Sequence, residues 1–125
     1  MQQAAMMVWI MAFKRGAIYL ANFNPSRGTE AGKTRPCVVI QSDLLNEAEH
    51  PSTTVLPLTT QLIDDAAPLR YRIKSRDKLK ADSDIMLDQT RTIDNRRIVN
   101  DVLTMLSFEE MAEMEMLWQI VLGLE

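Results

Sequence analysis

Hydrophobic and polar positions alternate over short runs along most of the chain and switch to a helical period only near the end. From Gly16 to Phe23 the string GAIYLANF is β-prone without a breaker and stops at the turn pair Asn24-Pro25, which predicts a strand. Ser26–Thr34 is small and polar with two glycines, an exposed loop. Pro36–Gln41 (PCVVIQ) reads as a buried strand with its proline at the first position, where no ladder donor is needed. Ser42–Glu49 predicts a short helix capped by Ser42, with Leu44 and Leu45 turned inward. Thr53–Thr59 predicts a strand in which Pro57 implies an edge or a bulge. Leu69–Ile73 sets Leu69, Tyr71 and Ile73 against Arg70 and Arg72, a half-exposed strand with its arginines on the wet face. Asp84–Ile93 continues the β pattern, and Ile98–Met105 gives a further strand. Ser107 and Glu110 then form a capping-box pair, and Phe108, Met111, Met114, Leu117, Trp118, Val121 and Leu122 recur at helical spacing. These elements suggest a small, strongly bent antiparallel sheet or barrel closed by one amphipathic helix.

At 125 residues, with 46% apolar and 25% charged, the chain has room for one globular domain. Met1–Phe13 is apolar but too short to span a bilayer, and its positive charges follow the apolar run instead of preceding it. Residues 1–13 are therefore read as an N-terminal extension, with Met11 as an alternative start, and 14–125 as the domain. One cysteine, Cys37, and one histidine, His50, exclude an intramolecular disulfide, a zinc site of four His/Cys ligands and a two-histidine nuclease mechanism. A cytoplasmic setting is expected, as are no metal and no cofactor. Asp82, Asp84 and Asp88 fail as a calcium loop, because Met86 and Leu87 stand at its fifth and sixth positions.

The net charge of −3 hides an uneven distribution. Lys14, Arg15, Arg27, Lys33 and Arg35 face only Glu30 within 14–35. Six cations face only Asp77 within 70–80, and Arg91, Arg96 and Arg97 face Asp94. If these blocks share a face, it would attract phosphates at short range; charges that merely solvate strands are the plainer reading.

The segment NPSRGTEAGKTRPCVVIQ carries the sharpest signal. With Asn24-Pro25, Gly28-Thr29-Glu30, Gly32 and Arg35-Pro36, it resembles the MazF/PemK toxins of bacterial toxin–antitoxin systems. VLPLTT (Val55–Thr60) and DQTRTID (Asp88–Asp94) resemble two further segments of that family, in the same order and spacing across about residues 14–124. The resemblance implies an α+β, mainly β, SH3-like antiparallel barrel with a C-terminal helix. It also implies a homodimer, a cognate antitoxin, and metal-independent cleavage of single-stranded RNA within a short recognition sequence. The 2′-OH would attack the adjacent phosphorus, leaving a 2′,3′-cyclic phosphate and a 5′-OH.

On that reading Arg35 is the cation for the phosphorane oxygens, since a guanidinium stays charged and can bind two of them. Thr59 donates its hydroxyl to a nonbridging oxygen, and Glu30 is the carboxylate available as base. Thr29, Gly32 and Lys33, with Asp88, Gln89 and Arg91, are expected to shape the site or contact RNA. Thr29 replaces the family's common Ser or His. Met86 stands where some relatives carry an arginine, which removes an Arg-Asp catalytic variant and leaves Arg35 as the leading cation. Two rivals remain: a gyrase poison on the same barrel, whose relatives end Trp-Gly-Ile where this chain ends Leu122-Gly123-Leu124-Glu125, and a noncatalytic RNA-binding barrel.

Overall fold

The computed structural model describes residues 12–125, so the reading of Met1–Met11, including the alternative start, lies outside the described residues. Within them the chain forms strands β1 (Ala17–Asn22), β2 (Thr34–Val39), β3 (Ser52–Thr59), β4 (Arg70–Ile73), β5 (Ser83–Met86), β6 (Arg91–Asp94) and β7 (Ile98–Met105). Helix α1 (Asp43–Glu47) follows β2, and α2 (Phe108–Leu122) closes the chain. The sheet runs β4-β5-β3-β2-β1-β7 with every pair antiparallel, and β6 also pairs with β3. This is the mainly β, open-barrel arrangement with a terminal helix that the pattern implies.

β3 is the hinge of the sheet. Its first half pairs with β6 (Ser52↔Asp94 to Val55↔Arg91) and its end pairs with β5 (Leu58↔Ile85, Thr59↔Asp84). Pro57 lies on a central strand, not an edge, and falls in the interval where β3 changes partner. Pro36 is likewise inside its strand, opposite Leu20, in the part of β2 that precedes its pairing with β3 at Cys37. The run read as one strand over 84–93 is two, because the chain turns at Leu87–Asp88 between β5 and β6.

Both faces of the sheet are covered at its middle, so the runs 17–21, 37–39 and 55–58 are apolar without alternating. Ile18, Val38, Leu56, Leu58 and Ile85 pack on one face with Met114 of α2; Tyr19, Phe23, Cys37, Val39, Val55 and Ile93 pack on the other. Phe13 meets Tyr19 edge-on at 5.1 Å between ring centroids. Burial pushes the Cys37 thiol up to about 12, so it is a core residue and not a nucleophile.

Helix α2 has the expected box, with Ser107 accepting from the Glu110 N–H while the Glu110 side chain returns to the Ser107 N–H. Met111, Leu117, Trp118 and Val121 pack on the core beside Met114, but Phe108 and Leu122 are exposed. Helix α1 departs further, since Leu44 and Leu45 point outward and the buried residue is Asn46. Its amide bonds both the Gln41 side chain (2.9 Å) and the Gln41 carbonyl (3.2 Å), so polar satisfaction, not apolar burial, seats this turn.

Candidate catalytic groove

The loop between β1 and β2 is built to hold a cation. Its ends are tied by the Phe23 N–H to the Lys33 carbonyl (2.8 Å) and the Lys33 N–H to Asn24 Oδ1 (2.8 Å). Lys33 has a left-handed φ of 68°. A Cβ on Gly32 would lie 2.7 Å from Ser26 Oγ and 3.0 Å from Ser26 Cβ, so a larger residue there would have to displace the Ser26 side chain. The next strand position is Arg35, whose Nε donates to the Gly32 carbonyl (2.7 Å) and whose NH1 donates to the Leu58 carbonyl (3.2 Å). The guanidinium is thus aimed by one carbonyl from its own loop and one from β3. Its NH2 is left with no partner among the described residues. Partial burial lowers its pKa from the usual arginine value, which still leaves it protonated at neutral pH.

Thr59, at the end of β3, accepts the Gln61 N–H on its hydroxyl oxygen (3.2 Å). That bond occupies a lone pair and leaves the hydroxyl proton to donate outward. Arg35, Thr59 and Gln61 share the walls of two adjoining cavities. The smaller, about 260 Å³, adds Lys33 and Ser83; the larger, about 400 Å³, adds Thr29, Leu69, Met86, Asp88 and Gln89. The structure therefore brings together Arg35, Thr59, Thr29, Lys33, Asp88 and Gln89.

Three expected residues stand apart from these walls. Glu30 is exposed and its carboxylate accepts the Arg27 N–H (2.8 Å), stabilising its own turn. Arg91 donates to the Phe23 carbonyl (2.8 Å) and lies over the Phe23 ring. Gly32 acts through loop closure. Gln89 has a double role, accepting the Ala31 N–H (3.0 Å) and donating to the Thr29 carbonyl (3.3 Å), which pins the loop to the β5–β6 turn.

Gln61 and Arg70 also line the larger cavity, and the sequence reading did not single them out as site residues. Gln61's only signal is its place two residues after Thr59. Arg70 and Arg72 are not simply wet, because both reach the buried carboxylate of Asp84, Arg72 through Nε at 2.9 Å and Arg70 at 3.4 Å. Burial raises the pKa of Asp84, but hydrogen bonds from Arg72 and the Ile63 N–H outweigh it and leave it below the usual carboxylate range. Among the described residues no three His, Cys, Asp or Glu side chains gather as metal ligands would.

Residues 14–122 match the family described as PemK-like, MazF-like toxin of type II toxin–antitoxin system. Among solved structures, MazF from Deinococcus radiodurans is similar with a TM-score of 0.76 and 20% identity, over 91% of this chain and 99% of that one. The Mycobacterium tuberculosis toxin MazF-mt6 aligns with a TM-score of 0.72 and 16% identity, over 87% and 98%. An endoribonuclease in complex with its cognate antitoxin, from a mycobacterial species, aligns with a TM-score of 0.72 and 18% identity, over 91% and 98%. At these identities the solved structures show a shared fold.

Proposed function

The chain belongs to the PemK-like, MazF-like toxin family, and from that premise we propose that it is a metal-independent, sequence-specific endoribonuclease of single-stranded RNA, acting as a type II toxin. The observation that carries the reading is that Arg35 and Thr59 line the same two cavities, each keeping a donor that its structural hydrogen bonds do not use.

RNA carries its own nucleophile. When the 2′-OH attacks the neighbouring phosphorus, negative charge accumulates on the nonbridging oxygens. A fixed guanidinium and a fixed hydroxyl stabilise that charge without reorganising at the moment of reaction. The Arg35 NH2 edge meets one oxygen and the Thr59 hydroxyl another. The 2′-proton must leave and the 5′-oxygen must gain one. Glu30 serves as base only when the 24–33 loop moves it toward the groove, since its carboxylate is occupied by Arg27 otherwise. The products are a 2′,3′-cyclic phosphate and a 5′-OH. The domain over 14–125 works as a cytoplasmic homodimer, and an antitoxin segment inhibits it by covering the groove.

The test is incubation with a long single-stranded RNA in excess EDTA. Cutting at a few defined sites with cyclic-phosphate and 5′-OH ends is expected, while the matching DNA stays whole because it lacks the 2′-OH. Cleavage of DNA, a requirement for magnesium, or 5′-phosphate ends would overturn the mechanism.

A further inference from the structure

We propose that the larger cavity reads a guanine next to the scissile phosphate, with Asp88 as the residue that sets this preference; the inference rests on the endoribonuclease reading above. Arg35 and Thr59 both line that cavity, so a phosphate held between them lies against its wall and brings the base of an adjoining nucleotide within reach of it. Its volume, about 400 Å³, lies in the range of small-ligand pockets. Ile63, Leu69 and Met86 supply apolar walls against which a flat base packs. Single-stranded RNA is recognised in this way, by stacking or packing on the base faces and hydrogen bonds to the exposed Watson–Crick edge.

The polar group that would read that edge is Asp88. Asp88 is the one carboxylate on the lining of this cavity, and Glu30 is held by the Arg27 N–H, Asp64 by Arg72, and Asp84 by Arg72 and the Ile63 N–H. Asp88 is exposed on the cavity wall, and its carboxylate makes no hydrogen bond or ion pair among the described residues. Its neighbour Gln89 is held by the 24–33 loop on both ends of its amide, so it cannot turn to replace Asp88 as the acceptor.

An ionised carboxylate only accepts, and its two oxygens lie side by side. Guanine alone presents two adjacent donors, N1–H and the N2 amino group, and so matches both oxygens. Adenine and cytosine each place one amino group beside a ring nitrogen acceptor, which leaves one carboxylate oxygen facing a lone pair. Uracil flanks its single N–H with two carbonyls and is the poorest partner. The site therefore ranks guanine first and uracil last.

The cut position is first mapped on a randomised RNA. Oligomers with a 2′-deoxy residue at that position, which bind but stay whole, then carry each base or inosine beside the cut. Inosine keeps N1–H and lacks the N2 amino group. For the wild-type protein guanine should bind about 10-fold or more tighter than uracil and about 5-fold tighter than inosine, and both Asp88→Ala and Asp88→Asn should bring guanine and inosine within about twofold. Circular dichroism confirms that the variants fold. Defined cleavage without a guanine preference at either flanking position, or a preference that survives in Asp88→Ala, overturns the assignment and leaves the endoribonuclease reading standing. If no RNA is cut, homopolymer oligonucleotides serve as the binding probes instead, and guanine-selective binding that is lost in Asp88→Ala then overturns the endoribonuclease reading and keeps the pocket.

Discussion

Arg35, the cation of the proposed mechanism, is a side chain held in place in advance. Two carbonyls, from Gly32 and Leu58, fix its plane, so little rotamer entropy remains to be lost when a phosphate binds. Arg35→Ala should slow RNA cleavage by roughly 100-fold or more while the far-ultraviolet dichroism stays unchanged, and Arg35→Lys should recover little because a point charge cannot replace the fork. A variant cutting within a few-fold of wild type would make Arg35 structural. This residue was legible because Arg35-Pro36 sits inside a segment with a distinctive order of residues. Asp88 was legible only as part of a segment, and Glu30, read as the carboxylate available for base work, stands outside the walls that Arg35 and Thr59 share. The difference is physical: a sequence displays a carboxylate but not the N–H that claims it, and the Arg27 N–H claims Glu30 three residues away.

At the scale of elements, strands came through where β-branched runs were uninterrupted and failed where a turn carries no glycine or proline. The break at Leu87–Asp88 is one such turn, and the indole N–H of Trp118 donating to Thr90 (3.0 Å) helps tie its far side to α2. Exposure of Leu44 and Leu45 has a similar origin, since a one-turn helix follows its buried Asn46 and not its leucines. Helix α2 is seated by a clamp on its first turn. Arg76 NH1 and NH2 each reach a different Glu110 oxygen at 2.7 Å, and Glu110 also completes the capping box. The Arg76 hydrogen bond is the chief cause that holds the Glu110 carboxyl below its ordinary pKa, outweighing a burial contribution that opposes it. A lowered carboxylate pKa gives stability that is present above the unfolded value and is lost as pH falls through the folded one. Glu110→Gln should cost about 1–2 kcal/mol at pH 7, roughly 3–8 °C in Tm, and the gap between variant and wild type should close as acid protonates Glu110. A gap that stays constant from pH 7 down through the carboxylate range would show that charge has no part in the clamp.

Over the whole molecule, six of the 14 cations are neutralised by ion pairs among the described residues. Of the six cations in 70–80, Arg70 and Arg72 meet Asp84, Arg76 meets Glu110 and Lys78 meets Asp101. Arg15 pairs with Glu115 and Arg96 with Asp94, while Arg91 and Arg97 donate to the Phe23 and Asn24 carbonyls. The sequence displays the cations of a block together but not the distant acids that the sheet and α2 bring to them. What remains for phosphate at the groove is Arg35, Lys33 and, at most partly, Arg70. For a single strand the salt slope is about −0.7 per phosphate neutralised, so a chain touching two or three phosphates should show log K against log salt with a slope of roughly −2. Titration of a 2′-deoxy-blocked oligomer between low and physiological salt measures it. If, as proposed, an acidic, extended antitoxin segment covers the groove, it should displace that oligomer competitively, and its own affinity should fall with salt as well. A slope steeper than about −4 would mean that the ion pairs open to engage RNA. Simultaneous binding of both ligands would place the antitoxin outside the groove.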